Sequence, residues 1–297
     1  MEFGINLSFA LKRWPEPERW AWIVREELGL DLVQFSFDLL DPWWPPVERG
    51  KLAARVRRAV ADHGLTLHSA QLGLAWYTYN GLLHPDPFGR AIAREWWHRA
   101  AETAAEIGAP AMGGPLGALS ATEAADPAMG EQRTRELIEH AITASDAAAA
   151  AGLQGLLIEP TPLPREIPHT IDQSRQMMKD LHGRTGVPVS YVLDVGHALY
   201  RPLYGADVAI EDWLTPLRSD IGVVHLQNHD YVSDAHWGWP DPRGRYDVAA
   251  LARSLRDSGL GEVPVILELF FPFELADDTV LKNTISSVRH CVAALNA

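Results

Sequence analysis

"YVLDVGHAL", residues 191–199, starts as a buried strand and then changes character. Tyr191, Val192 and Leu193 are apolar, and Asp194 and His197 follow at once. A carboxylate and an imidazole are costly to bury without partners, so their place at the end of an apolar run points to a site. The same interruption recurs on both sides. "LLIEP" (156–160) ends on Glu159, "VVHLQNHD" (223–230) carries His225, and "VILELF" (265–270) carries Glu268.

Outward from these runs, short apolar stretches alternate with longer helix-like ones along the whole chain. The strand-like runs cover residues 3–10, 31–38, 65–73, 109–115, 153–160, 187–199, 221–230 and 263–271. Each precedes a helical pattern, including 208–220 after the sixth. Continuous apolar strands indicate burial on both faces, as in a parallel sheet covered by helices. Gly64, Gly108, Gly152 and Gly186 stand where left-handed helix caps are expected. Eight strand–helix units without a linker predict an α/β fold, a single (β/α)8 TIM barrel over residues 1–297. Three long loops, 74–88, 116–129 and 229–245, follow strands and therefore belong to the rim where such barrels carry their chemistry.

Composition narrows the function. The 297 residues carry 26 basic and 39 acidic side chains, a net charge of −13, which argues against a nucleic-acid binder, since that needs a positive face. No apolar run is long enough to span a membrane, and no signal peptide is evident, so a cytoplasmic location is expected. The single cysteine, Cys291, excludes an internal disulfide and a thiolate cluster, and it reads as a packing residue. His98, His140, His182 and His290 fall on helical stretches and read as solvated.

Strands that converge on one mouth bring Glu159, Asp194, His225 and Glu268 together. Three carboxylates and an imidazole repel and desolvate one another unless a cation holds them. Oxygen-rich donors suit a divalent metal, Mn²⁺ first, with Mg²⁺, Co²⁺ or Zn²⁺ as alternatives. His197 is placed to hydrogen-bond a substrate oxygen. His68 is a further strand-end candidate, with Asn6 and Gln34 as weaker ones.

These residues resemble the xylose isomerase-like TIM-barrel superfamily, in particular the sugar (phosphate) isomerase/epimerase branch that includes ketose 3-epimerases. The likeness lies in Glu at strand five, Asp-x-x-His at strand six, His at strand seven and Glu at strand eight. It implies one divalent metal on Glu159, Asp194, His225 and Glu268, with Glu159 and Glu268 as acid/base groups and His197 touching substrate. It also implies a homo-oligomer. Two positions depart from the ketose 3-epimerase pattern: Arg165 replaces a glutamate, and Tyr231 replaces an arginine. An arginine at the mouth favours an anionic carbohydrate, a sugar phosphate or sugar acid. His236, with His229, Arg243 and Arg245, adds polar groups from loop seven. The expected activity is isomerisation or epimerisation by proton transfer through a metal-stabilised enediolate. The alternative is a lyase on the same site: a 3-oxo sugar acid decarboxylase, an inosose-type dehydratase, or a C-glycoside deglycosidase acting by β-elimination. Trp76, Tyr77, Tyr79, Trp237 and Trp239 are candidates to cover the bound sugar.

Overall fold

The eight apolar runs form eight parallel strands: β1 (Phe3–Asn6), β2 (Leu32–Ser36), β3 (Thr66–Gln71), β4 (Ala111–Gly114), β5 (Gly155–Ile158), β6 (Val189–Asp194), β7 (Ile221–Leu226) and β8 (Val265–Leu267). They close in sequence order into the expected barrel, surrounded by helices. The computed structural model describes residues 1–239 and 241–296; Pro240, within the 229–245 loop, and Ala297 lie outside the described residues. No helix among the described residues is long and apolar enough to cross a membrane.

The chain divides into two compact units. The first comprises Met1–Gln34, Arg58–Leu67 and Leu193–Ala297. Here β1 pairs with β2 (Asn6 opposite Gln34) and with β8 (Phe3 opposite Val265). β7 also pairs with β8, His225 opposite Ile266. Helices Val248–Asp257 and Asp277–Leu295 pack together outside these strands, and Cys291 is fully buried on the second, as a packing residue should be.

The second unit comprises Phe35–Arg57 and His68–Val192. β4 lies between β3 and β5, with Gly113 opposite both Gln71 and Leu157. A Cβ on Gly113 would sit 2.0 Å from the Leu157 carbonyl oxygen, so only glycine permits that approach. β5 pairs with β6, Ile158 opposite Tyr191. Helices Pro87–Ile107 and Pro127–Ala150 begin on capping aspartates, Asp86 and Asp126, with proline at the first helical position. They bury Trp96 and Trp97, and Trp96 stacks on Trp76 at 4.8 Å.

Three local expectations change. Gly64, Gly108 and Gly152 adopt the left-handed φ of helix caps, but the cap after Leu181 is Gly183 (φ 72°). Gly186 instead donates its N–H to Ser145 Oγ. Of residues 208–220 only Glu211–Leu214 is helical, because Pro216 cannot donate the next backbone bond. His140 is half-buried, and burial pushes its imidazole below the usual range.

Candidate metal centre

The first unit gathers Asp194, His225 and Glu268, each buried, with candidate ligand atoms within 4.8 Å of one another. Their orientation follows from a chain of hydrogen bonds that starts in β1. The Ser8 N–H donates to Asn6 Oδ1 (2.8 Å), which turns Asn6 Nδ2 toward Gln34 Oε1 (2.7 Å). Gln34 Oε1 is therefore an acceptor, and His225 Nε2, 2.8 Å away, is its donor. In the neutral ring the proton on Nε2 leaves Nδ1 with a lone pair, and Nδ1 faces Glu268 Oε2 at 3.0 Å. A lone pair opposite a carboxylate oxygen calls for a positive charge between them.

Asp194 is divided in the same sense. Its Oδ1 caps the short helix Val195–Ala198 through the His197 N–H (2.8 Å) and also accepts from Gln227 Nε2. Its Oδ2 is buried and has no hydrogen-bond partner among the described residues. Leaving such an oxygen unpaired costs about 1–3 kcal/mol or more for a charged group. The residues thus fit a divalent cation: a carboxylate oxygen with no hydrogen-bond partner among the described residues, an imidazole nitrogen turned toward a second carboxylate, and that carboxylate itself. Burial alone would raise the Glu268 carboxyl, but with no cation between them the protonated imidazoles around it, His225 first, hold it at about 2.

The loop after β7 returns to this point. An antiparallel bridge, Asn228 to Trp237, closes its base with backbone bonds of 2.9 and 3.1 Å. Asp230 caps the backbone N–H groups of Val232 and Ser233 inside it. Asp234 Oδ1 then lies 3.1 Å from His197 Nε2 and 3.3 Å from His236 Nε2. Burial opposes ionisation of Asp234, yet the two imidazoles, His197 first, hold its carboxyl well below the usual range. His236 shows the reverse: burial would lower it, but Asp234 and Glu268 lift it to about 9. His229 is fully buried against Tyr231 and Tyr246, and desolvation pushes it down to about 4.

The second unit carries Glu159, one residue beyond β5 and buried; its Oε2 accepts from Gln71 Nε2 at 2.7 Å. Arg165 Nη1 donates to the Leu119 carbonyl (2.9 Å), and the guanidinium makes no ion pair among the described residues. Its neighbour Glu166 is taken by the Thr161 hydroxyl. His68 is half-buried, with Nδ1 2.9 Å from Ser69 Oγ. Among the aromatic candidates, Trp76 stacks in this unit on Trp96, whereas Trp239 in the first unit is buried against His290 of the last helix. Arg243 pairs with Asp241 and lies over the Trp237 ring.

Asp234 and Gln227 carry no signal in the sequence pattern, and Gln34 and Asn6, weaker candidates there, orient the centre in the structure. The signal for Gln34 was present: a polar residue inside the apolar run "DLVQFSFD".

Comparison with known proteins agrees with this architecture. A family profile described as "Xylose isomerase-like TIM barrel" matches residues 24–284. A crystal structure from Rhodospirillum rubrum, carrying a provisional xylose isomerase name, matches with TM-score 0.95 and 37% identity over 99% of each chain. A D-psicose 3-epimerase from Clostridium cellulolyticum, solved with D-tagatose, matches with TM-score 0.71 and 18% identity over 100% of this chain and 97% of its own, a likeness of fold. A D-erythrulose 1-phosphate 3-epimerase from Brucella abortus is 21% identical over 275 residues, 91% of this chain and 88% of that protein.

Proposed function

This chain belongs to the xylose isomerase-like TIM-barrel family, and we propose that it is a divalent-metal-dependent isomerase or epimerase of a ketose or ketose phosphate. The observation that carries the reading is the convergence of Asp194, His225 and Glu268, buried donors within 4.8 Å of one another, with His225 Nδ1 3.0 Å from Glu268 Oε2. We assign Glu159 as the fourth ligand. Its support is the strand order: β5 neighbours β6, and Glu159 and Asp194 both stand at the ends of those strands. Mn²⁺ suits this nitrogen-and-oxygen set.

When bound, the ion supplies positive charge that acidifies the C–H beside a substrate carbonyl. The protein's own residues do the rest. Glu268, ionised across the physiological range, removes the proton, and Glu159, oriented by Gln71, returns one from β5. Return to the same carbon from the other face gives an epimer; return to the neighbouring carbon gives an aldose–ketose pair. His197, His68 and His236 are assigned to substrate oxygens, and Arg165, half-buried with no carboxylate partner among the described residues, to a substrate phosphate. The Brucella relative, named for a ketose phosphate, supports that last assignment.

The test is deuterium uptake. In D₂O with Mn²⁺, D-erythrulose 1-phosphate or a neutral ketose should exchange the hydrogen at C3 as its epimer accumulates, read by NMR. Glu268→Gln and Glu159→Gln should each lower the exchange rate by about 10²–10⁴-fold while circular dichroism is unchanged. Full exchange in both variants would remove the acid/base assignment.

A further inference from the structure

We propose that Asp234 is a positioning residue of the metal centre, whose single oxygen holds the His197 and His236 rings against two of the ligand carboxylates. The proposal rests on the ligand assignment of Asp194 and Glu268 made above. Both Nε2 atoms address the same Asp234 Oδ1, at 3.1 and 3.3 Å, and the rings stand 5.9 Å apart at 80°. With each Nε2 fixed, the opposite nitrogens are aimed. His197 Nδ1 faces Asp194 Oδ1 at 3.9 Å, and His236 Nδ1 faces Glu268 Oε2 at 3.5 Å. Asp234 thus reaches both ligands at second hand, and its ion-pair partners among the described residues are these two rings.

The surroundings favour that function over loop stability. The loop already has its own fastenings: the Asn228–Trp237 bridge at its base and the Asp230 caps within it. His236 is tied to the strand end it serves, because its carbonyl accepts the Phe270 N–H (3.1 Å) and its ring meets the Phe270 edge. The Asp234 side chain is 41% exposed, against 8% and 10% for the two imidazoles. A carboxylate that stays near solvent while ordering two buried rings adds little to the core but sets where the ligand oxygens point. Groups that orient metal ligands in this way typically change metal affinity 10–100-fold when removed.

The experiment reads Mn²⁺ affinity in competition with a chromogenic chelator, on metal-stripped full chain, together with ¹⁵N signals of the histidine rings. Asp234→Asn should weaken Mn²⁺ binding by about 10–100-fold and shift the ring signals of both His197 and His236. Asp230→Asn, which unfastens the same loop elsewhere, should leave affinity within about threefold and those signals in place. Asp194→Asn should abolish binding. Unchanged affinity in Asp234→Asn, or an equal loss in Asp230→Asn, overturns the proposal while Asp194→Asn sensitivity keeps the metal reading intact. Failure of the native chain to bind Mn²⁺ overturns both.

Discussion

Replacing Gln34 by leucine tests how the centre prepares its imidazole. Gln34 Oε1 sits 2.8 Å from His225 Nε2 and 2.7 Å from Asn6 Nδ2, with all three residues 1% exposed or less. Leucine removes that acceptor and supplies no other. Each stranded N–H costs about 1–3 kcal/mol, so with two of them the metal-free chain should lose on the order of 2–6 kcal/mol, seen as a lower urea midpoint. The second effect is on the tautomer. Without its acceptor, the His225 proton is free to move to Nδ1, where it faces the Glu268 carboxylate 3.0 Å away and occupies the ligand position. Mn²⁺ affinity should fall about 10–100-fold, or roughly 1.4–2.8 kcal/mol. Gln34→Glu separates this cause from lost packing, since a carboxylate still accepts from both donors. It should retain Mn²⁺ affinity near the native value. Should Gln34→Leu bind Mn²⁺ within threefold of native, or Gln34→Glu lose as much as leucine does, the tautomer argument fails.

Two more outcomes follow from single residues. His229 is held neutral by burial down to about pH 4, whereas in the unfolded chain it gains a proton near 6.5. Its stabilisation is therefore complete above pH 6.5 and is lost as pH falls from 6.5 through 4, by about 3 kcal/mol in all; urea unfolding at pH 7.5 and 4.5 should show that drop, and His229→Gln should flatten it. Arg165→Ala should raise KM for a ketose 1-phosphate well above the change for the unphosphorylated ketose, and equal changes for the two would remove the anion site.

The strand ends were legible because a barrel strand is buried on both faces. In such a run a charged residue stands out; taken alone Glu159, Asp194, His225 or Glu268 could be a helix cap or an ion-pair partner, and it is their recurrence at four successive strand ends that points to a site. The helix after β6 is shorter than its apolar spacing suggests because Pro216 interrupts it, and Gly183 rather than Gly186 takes the left-handed cap because two glycines compete to end one helix. His140 was read as solvated because one helical position says nothing of what packs over it. Asp234 lay beyond any periodic signal. Its loop has no repeating pattern, and its contact with His197 exists only because Asn228 and Trp237 clasp the loop at its base. Which residues share a strand end is local information, whereas which loop residue is brought back to them is decided by long-range closure.

Stability alone does not account for this centre. Exchanging buried charges for apolar groups of similar volume is often neutral or stabilising by about 1–4 kcal/mol. Asp194 nevertheless keeps one oxygen without a hydrogen-bond partner among the described residues while its other oxygen takes two donors, and Gln34 holds the proton of a neutral His225 ring on Nε2, away from Glu268. A protein core settling its own charges would do the opposite: share the free oxygen with a donor and place a proton between His225 and Glu268. Each of these choices makes the empty centre less stable and a bound cation more so, and it is the agreement between the two, reached through different strands, that argues for a metal.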